Sequence, residues 1–148
     1  MGSEHSELVF RARTVLEHFN PRPAFSCLFG SVAREEAGPL SDIDVGVYFS
    51  EEVPLTVAAR LSEDLAEATG RGVDVVELAR LWDRKPALSY RIAGEMEPLT
   101  VDDRRALVQF RTWSFLSYFD TEPLRRMTED SLRRRLRAGR AGDRDYVG

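Results

Sequence analysis

Residues 30–44 read GSVAREEAGPLSDID and contain the residue pattern that is most informative about the fold. The stretch begins with a Gly-Ser pair directly after the apolar run at 24–29. It ends with Asp42 and Asp44, which alternate with apolar residues as they would on a β-strand. Side chains two positions apart on a strand point to the same face, so the two carboxylates share one side. A small-residue turn beside paired carboxylates predicts a phosphate-binding turn facing a divalent-metal site.

A third acid, Asp74, stands in a later apolar run at residues 73–76, which predicts another strand. Three carboxylates on neighbouring strands would repel one another unless a cation or a basic group lay between them. Two divalent cations about 3.5–4 Å apart can grip the attacking and leaving oxygens when a nucleoside monophosphate is transferred. We therefore assign Asp42, Asp44 and Asp74 as candidate catalytic and metal-binding residues, with two Mg²⁺ ions as the metal. Nucleotidyl transfer is the reaction that this constellation favours.

The Gly-Ser turn supplies the candidate nucleotide-binding groups. Gly30 removes the Cβ at a point where the backbone would approach a triphosphate. Ser31 offers a hydroxyl and an amide, and the short helix predicted to follow adds partial positive charge at its start. Arg34, one turn into that helix, is placed to reach a phosphate or to hold an acid. The nucleotide that these groups would bind is the substrate of the transfer.

Length and composition limit the class of protein. The chain has 148 residues, which fits a single domain over residues 1–148, with a core at about 22–100 and a C-terminal helical extension at about 101–138. Hydrophobic residues make up 43% and charged residues 31%, which is typical of a soluble globular protein. The formal net charge of -4 argues against generic nucleic-acid binding. The basic side chains are concentrated after residue 100, where 11 basic and 8 acidic residues occur.

Cysteine content and hydropathy narrow the expected location. The single cysteine, Cys27, excludes an intramolecular disulfide and a cysteine-based zinc site. No apolar run approaches the roughly 20 residues of a membrane span, so no membrane partner is expected. The N-terminus lacks the basic and then apolar pattern of a secretory signal. We expect the protein to be cytoplasmic.

Alternating helix and strand patterns predict an α/β (α+β) protein with a small mixed β-sheet flanked by helices. Apolar runs and period-2 alternation predict strands at 24–29, 43–47, 73–78 and 97–101. Helical periodicity and end signals predict helices at 6–19 with Ser6 as its cap, at 31–37, at 54–69, at 82–94 interrupted by Pro86, from Asp102 or Asp103 to about 118, and at 123–137.

The spacing of these motifs resembles the nucleotidyltransferase superfamily of DNA polymerase β. The resemblance rests on Gly30-Ser31, ten intervening residues, Asp42-Ile43-Asp44 and the later Asp74. It implies a polymerase β-like fold with C-terminal helices, in which Gly30 and Ser31 meet the triphosphate and the three acids hold the metals. The short chain is similar to minimal nucleotidyltransferases. One residue departs from the pattern, because the family often has Gly after the arginine and this chain has Glu35.

The C-terminal part, from Phe110-Arg111 to Pro123-Leu124, also resembles the MntA-like antitoxins of HEPN/MNT toxin–antitoxin pairs. Such proteins neutralise a HEPN-domain ribonuclease toxin by transferring AMP from ATP to one of its tyrosines. The resemblance therefore implies a HEPN toxin as both substrate and complex partner. It leaves the oligomeric state open, whether homo-oligomer or hetero-oligomer.

Two other functions stay open on the sequence alone. A small-molecule nucleotidyltransferase of the aminoglycoside type would use the same acids, although 148 residues leave little chain for an acceptor pocket. An antitoxin acting by binding alone would use the basic and aromatic C-terminal part. The roles of Trp82, near the nucleotide or in the core, and of the aromatic residues from Phe110 to Phe119, core or docking, are also left open.

Overall fold

The computed structural model describes residues 2–36, 38 and 41–137, which form a four-stranded sheet with helices on both faces. In chain order the elements are α1 Gly2–His18, β1 Phe25–Phe29, α2 Gly30–Ala33, β2 Ile43–Tyr48, α3 Leu55–Thr69, β3 Val73–Glu77, α4 Leu81–Arg84, α5 Pro86–Glu95, β4 Glu97–Val101 and α6 Arg104–Arg137. All four predicted strands are present, and the predicted α/β (α+β) class is confirmed.

The sheet has the strand order β3-β2-β1-β4 and is mixed. Strand β1 pairs antiparallel with both β2 and β4, whereas β2 and β3 run parallel. The parallel pair requires a crossover between its strands, and α3 provides it. The parallel arrangement brings the starts of β2 and β3 to the same edge of the sheet.

Apolar side chains on the two faces of the sheet form two core clusters. Strand β1 is buried throughout, and Leu28 faces one cluster while Phe25 and Cys27 face the other. The first cluster packs α1 and α3 against the sheet through residues such as Leu16 and Leu61, which are fully buried. The second is formed with α4, α5 and α6 by Leu78, Leu81, Trp82, Ile92 and Phe110. The central strands are therefore covered on both sides, which explains their continuous apolar runs.

Three helix ends are determined by residues that end or begin helices in many proteins. Helix α3 ends at Gly70, whose left-handed φ of 71° closes the helix with an amide hydrogen bond to the carbonyl of Ala66. Asp103 caps α6, because its Oδ1 accepts hydrogen bonds from the amides of Arg105 and Ala106. Pro86 separates α4 from α5 and occupies the first turn of α5, where its missing N–H costs no helical bond.

Three predicted helix boundaries were wrong. Helix α1 starts at Gly2, so Ser6 lies inside it and does not cap it. The short helix predicted at 31–37 spans only Gly30–Ala33. The two predicted C-terminal helices are one helix, α6, which continues through Pro123. A proline inside a helix costs roughly 3 kcal/mol, and the good helix formers Leu124, Arg125, Arg126 and Met127 that follow it favour continuation of the helix. No helix in the described part of the chain is long and apolar enough to cross a membrane.

Candidate active site

The three predicted acids lie together at the edge where β2 and β3 begin. In the parallel pairing of these strands, Asp44 is directly opposite Asp74. Asp42 lies two residues before Asp44, just ahead of the first strand residue, Ile43, whose amide bonds the carbonyl of Gly72. Asp42 and Asp74 are exposed and Asp44 is half-buried. The alternation of strand side chains therefore brings the acids to one face, as the spacing predicts.

Two glycines leave the space that these acids occupy. A Cβ on Gly30 would lie 2.3 Å from Oδ2 of Asp44, and a Cβ on Gly72 would lie 2.5 Å from Oδ1 of Asp42. Gly30 also has a φ of 75°, a left-handed conformation that other residues adopt at a cost. Any larger side chain at either position would displace a candidate metal ligand. Gly30 was predicted from the sequence, whereas Gly72 was not.

The acids repel one another in the absence of a cation. Burial raises the pKa of Asp44 above its ordinary value, and the charges of Asp74, Asp42 and Glu95 raise it further. Arg91 is the nearby positive charge that lowers it. A divalent cation at this edge would favour the ionised carboxylate and reverse the effect.

The donor set fits Mg²⁺ in type. Carboxylate oxygens are the ligands that Mg²⁺ prefers, and the ion usually keeps several water molecules and binds substrate phosphates. Among the residues that the structure describes, no three His, Cys, Asp or Glu side chains form a ready-made cage for one ion. An ion held by one or two of the acids, with water and phosphate oxygens as its other ligands, agrees with both observations.

The turn after β1 carries the predicted nucleotide-binding residues. Gly30 and Ser31 open α2, and Ser31 is half-buried. Arg34 follows α2, and its guanidinium donates to Oε2 of Glu36 at 3.0 Å and to Oε2 of Glu95 at 2.8 Å. Arg34 is thus held by acids in this structure, with 42% of its side chain exposed.

Glu35 has a backbone conformation that favours the glycine often found at this position in the family. Its φ is 57°, in the left-handed region that glycine adopts most easily, and its side chain is exposed. The residue after the arginine therefore occupies a glycine-type position in this chain as well.

Glu95, the last residue of α5, belongs to the site although the sequence did not indicate it. Its Oε1 accepts a hydrogen bond from the amide of Gly30 at 3.0 Å, and its Oε2 accepts from Arg34. The side chain is 18% exposed, and Nε of Arg91 lies 3.7 Å from it. Glu95 is 65 positions from Gly30, and it is part of no motif, so local spacing could not have found it.

The aromatic residues divide between core and surface. Trp82 is buried against Phe110, with ring centroids 6.3 Å apart, which places it in the core. On α6, Trp113 and Phe119 are about half exposed, while Tyr118 stacks on Tyr90 with centroids 4.1 Å apart. The question that the sequence left open therefore has a divided answer, because Phe110 is in the core and Trp113 and Phe119 are at the surface.

Comparison with known proteins places this arrangement in a family. The family model described as "Polymerase beta, Nucleotidyltransferase" matches residues 13–105, which is more than half of the chain. A protein of Methanocaldococcus jannaschii named "Putative protein adenylyltransferase MJ0435" is 40% identical over 68 residues, covering 46% of this chain and 70% of the relative. The matched family segment contains every candidate site residue from Gly30 to Glu95.

Solved structures share the fold. A toxin–antitoxin complex with AMP-PNP contains a chain that matches with a TM-score of 0.72 and 20% identity, over 83% of this chain and 96% of the other. A complex of a tri-AMPylated Shewanella oneidensis HEPN toxin with an MNT antitoxin matches with a TM-score of 0.69 and 19% identity, over 86% and 97%. The resemblance stated from the motif is thus confirmed at the level of family and fold. Because the family model matches more than half of the chain, this chain is a nucleotidyltransferase and belongs to the polymerase beta family.

Proposed function

We propose that this chain is a Mg²⁺-dependent adenylyltransferase that transfers AMP from ATP to a tyrosine of a HEPN ribonuclease toxin, and that it acts as that toxin's antitoxin. In this proposal Asp42, Asp44 and Asp74 hold the metals, and Gly30, Ser31 and Arg34 meet the triphosphate. The observation that carries it is the direct pairing of Asp44 with Asp74 beside the Gly30 turn.

The proposed reaction follows from the chemistry of the groups at this edge. The tyrosine oxygen attacks the α-phosphorus of ATP, a new O–P bond forms, and pyrophosphate leaves. The metals, when bound, supply charge that stabilises the attacking and leaving oxygens. Asp74 orients the attacking hydroxyl or accepts its proton, because it stands on β3 beside Asp44 and is exposed to an incoming acceptor. The Gly30–Ser31 turn and Arg34 hold the phosphates that leave.

The proposed protein acceptor is supported by the solved relatives and by the surface of α6. One solved structure that shares the fold is a complex of a tri-AMPylated HEPN toxin with an MNT antitoxin. On this chain, Trp113, Leu116 and Phe119 are 47%, 48% and 56% exposed along α6. Exposed apolar side chains on a helix are typical of a protein-docking surface. A partner bound there would bring its own acceptor hydroxyl to the protein.

Transfer of labelled AMP tests the proposal. The purified chain is incubated with Mg²⁺, the co-encoded HEPN protein, and ATP labelled at either the α- or the γ-phosphate. Label from the α-phosphate, and none from the γ-phosphate, is expected on a tyrosine of the partner. The Asp42→Asn variant should lose transfer while keeping the wild-type circular dichroism spectrum. Asp64→Asn, which changes an exposed acid on α3, is the matched control and should transfer normally.

The same variant separates the alternative functions. Neutralisation of the toxin by Asp42→Asn as efficiently as by wild type would favour an antitoxin that works by binding alone. Labelling of an aminoglycoside, and of no protein, would favour a small-molecule nucleotidyltransferase. Undiminished AMP transfer by Asp42→Asn would contradict the metal assignment itself.

A further inference from the structure

Glu95 connects three parts of the site that no sequence motif connects. Its two carboxylate oxygens are divided between the amide of Gly30 at 3.0 Å and Nη1 of Arg34 at 2.8 Å. Arg91, one turn earlier on α5, lies 3.7 Å from the carboxylate. Because both oxygens have defined partners and the side chain is mostly buried, the carboxylate has little freedom to move.

The amide that Glu95 holds belongs to the residue that touches Asp44. Only the absence of a Cβ on Gly30 leaves room for Oδ2 of Asp44, so the position of the turn limits where that carboxylate can lie. A contact chain therefore runs from α5 through Glu95 and Gly30 to Asp44. A shift of α5 away from the turn would release the position of a candidate metal ligand.

A fourth carboxylate at this edge carries an electrostatic cost. Asp42, Asp44 and Asp74 already repel one another, and a further negative charge opposes the binding of a triphosphate. Arg34 and Arg91 offset that charge locally. The two arginines reduce the electrostatic cost of the Glu95 carboxylate, and the hydrogen bonds of Glu95 to Gly30 and Arg34 fix its position.

We propose that Glu95 is a positioning residue for nucleotidyl transfer, which holds the Gly30 turn against Asp44 and fixes the guanidinium of Arg34. The inference rests on the proposed adenylyl transfer for its kinetic test. Glu95 touches neither metal nor acceptor in this role, and its effect passes through Gly30 and Arg34.

Two substitutions divide the role into its parts. Glu95→Gln keeps an oxygen that can accept from the Gly30 amide but removes the charge that pairs with Arg34. Glu95→Ala removes both interactions. Glu97→Gln is the matched control, because Glu97 is also a carboxylate that joins two elements, but its partner is His5 on α1, at 2.7 Å, and not the Gly30 turn.

The measurements are hydrogen exchange at the Gly30 and Ser31 amides, and kcat and KM for ATP in transfer to the co-encoded HEPN protein. Glu95→Ala should expose the turn amides and lower kcat about 10²-fold, the loss expected when a reacting group moves by about 1 Å. Glu95→Gln should lower kcat roughly tenfold, with partial protection of the Gly30 amide retained. Glu97→Gln should leave the exchange at the turn, kcat and KM at wild-type values.

Three outcomes would overturn the inference. If both Glu95 variants melt earlier but retain wild-type kcat and KM, Glu95 is only structural. If they lower KM for ATP without loss of kcat, Glu95 competes with phosphate instead of positioning the turn. If wild type itself neither binds ATP in the presence of Mg²⁺ nor transfers AMP, the proposed function fails, and the positioning role fails with it. The first two outcomes leave the proposed function intact, so the two failures are distinguishable.

Discussion

Replacement of Gly30 by alanine perturbs the backbone and the candidate metal site through one added methyl group. The φ of Gly30 is 75°, and a left-handed conformation costs a residue with a Cβ roughly 1–2 kcal/mol. For a chain of about this size, each kcal/mol lowers the melting temperature by roughly 2–4 °C, so a fall of about 2–8 °C is expected. Differential scanning calorimetry of the metal-free protein measures this fall in melting temperature.

The second effect is steric and acts on catalysis. The added Cβ would lie 2.3 Å from Oδ2 of Asp44, about 1 Å short of an ordinary contact. Since the Asp44 carboxylate has to move by about that distance, the rate of AMP transfer should fall on the order of 10²-fold. The assay is kcat for transfer from α-labelled ATP, corrected for the folded fraction at the assay temperature.

Gly70→Ala is the matched control for the backbone term. Gly70 has nearly the same φ, 71°, but a Cβ there would meet no atom within 4 Å. The variant should lose comparable stability and keep the wild-type kcat. Retention of kcat by Gly30→Ala within twofold would refute the steric reasoning. An equal loss of kcat in Gly70→Ala would show that destabilisation alone explains the effect.

Three further predictions concern single side chains. The pKa of Asp44 is raised in the fold, so metal-free wild type loses stability as pH rises from about 3.9 through that raised pKa. Asp44→Asn should therefore melt at a higher temperature than wild type at pH 7, and this gain in melting temperature should shrink toward pH 3. The variant should also lose AMP transfer. A lower melting temperature than wild type at pH 7 would contradict the prediction. Glu35→Gly should stabilise the protein by up to about 1 kcal/mol in urea denaturation, because it relieves a left-handed φ of 57°, although the greater freedom of glycine in the unfolded chain offsets part of the gain. Burial raises the pKa of the Cys27 thiol to about 12, so a disulfide reagent at pH 8 should leave the native protein unmodified and react at once in urea; rapid labelling of native protein would disprove its burial.

Strands and acids were predictable because their signals are local. The period-2 alternation around Ile43 and the apolar run at 73–78 report burial within a few residues, and the structure has strands there. The same alternation placed Asp42 and Asp44 on one face without knowledge of the sheet. That Asp74 stands directly opposite Asp44 required the parallel register, which no local pattern contains.

Helix limits were less predictable, for a physical reason. Ser6 carries a cap signal worth roughly 1 kcal/mol, and Pro123 carries a penalty of roughly 3 kcal/mol inside a helix, yet α1 and α6 continue through these two positions. Gly70 ended α3 as predicted, because a left-handed residue closes the helix with a backbone bond of its own. A boundary signal is therefore reliable when it also supplies the hydrogen bond that ends the helix.

The residues that sequence reasoning missed are those that hold the acids in place. Gly72 leaves the space for Asp42, and Glu95 holds the turn that limits Asp44. Neither carries a chemical signature, since one has no side chain and the other is an ordinary acid at a helix end. Burial raises the pKa of Asp44, and the charges of Asp74, Asp42 and Glu95 raise it further, so the ionised carboxylate is disfavoured where it lies. The fold keeps an unfavourable group of charges together by fixing the backbone around them, and such supports can be identified only in three dimensions.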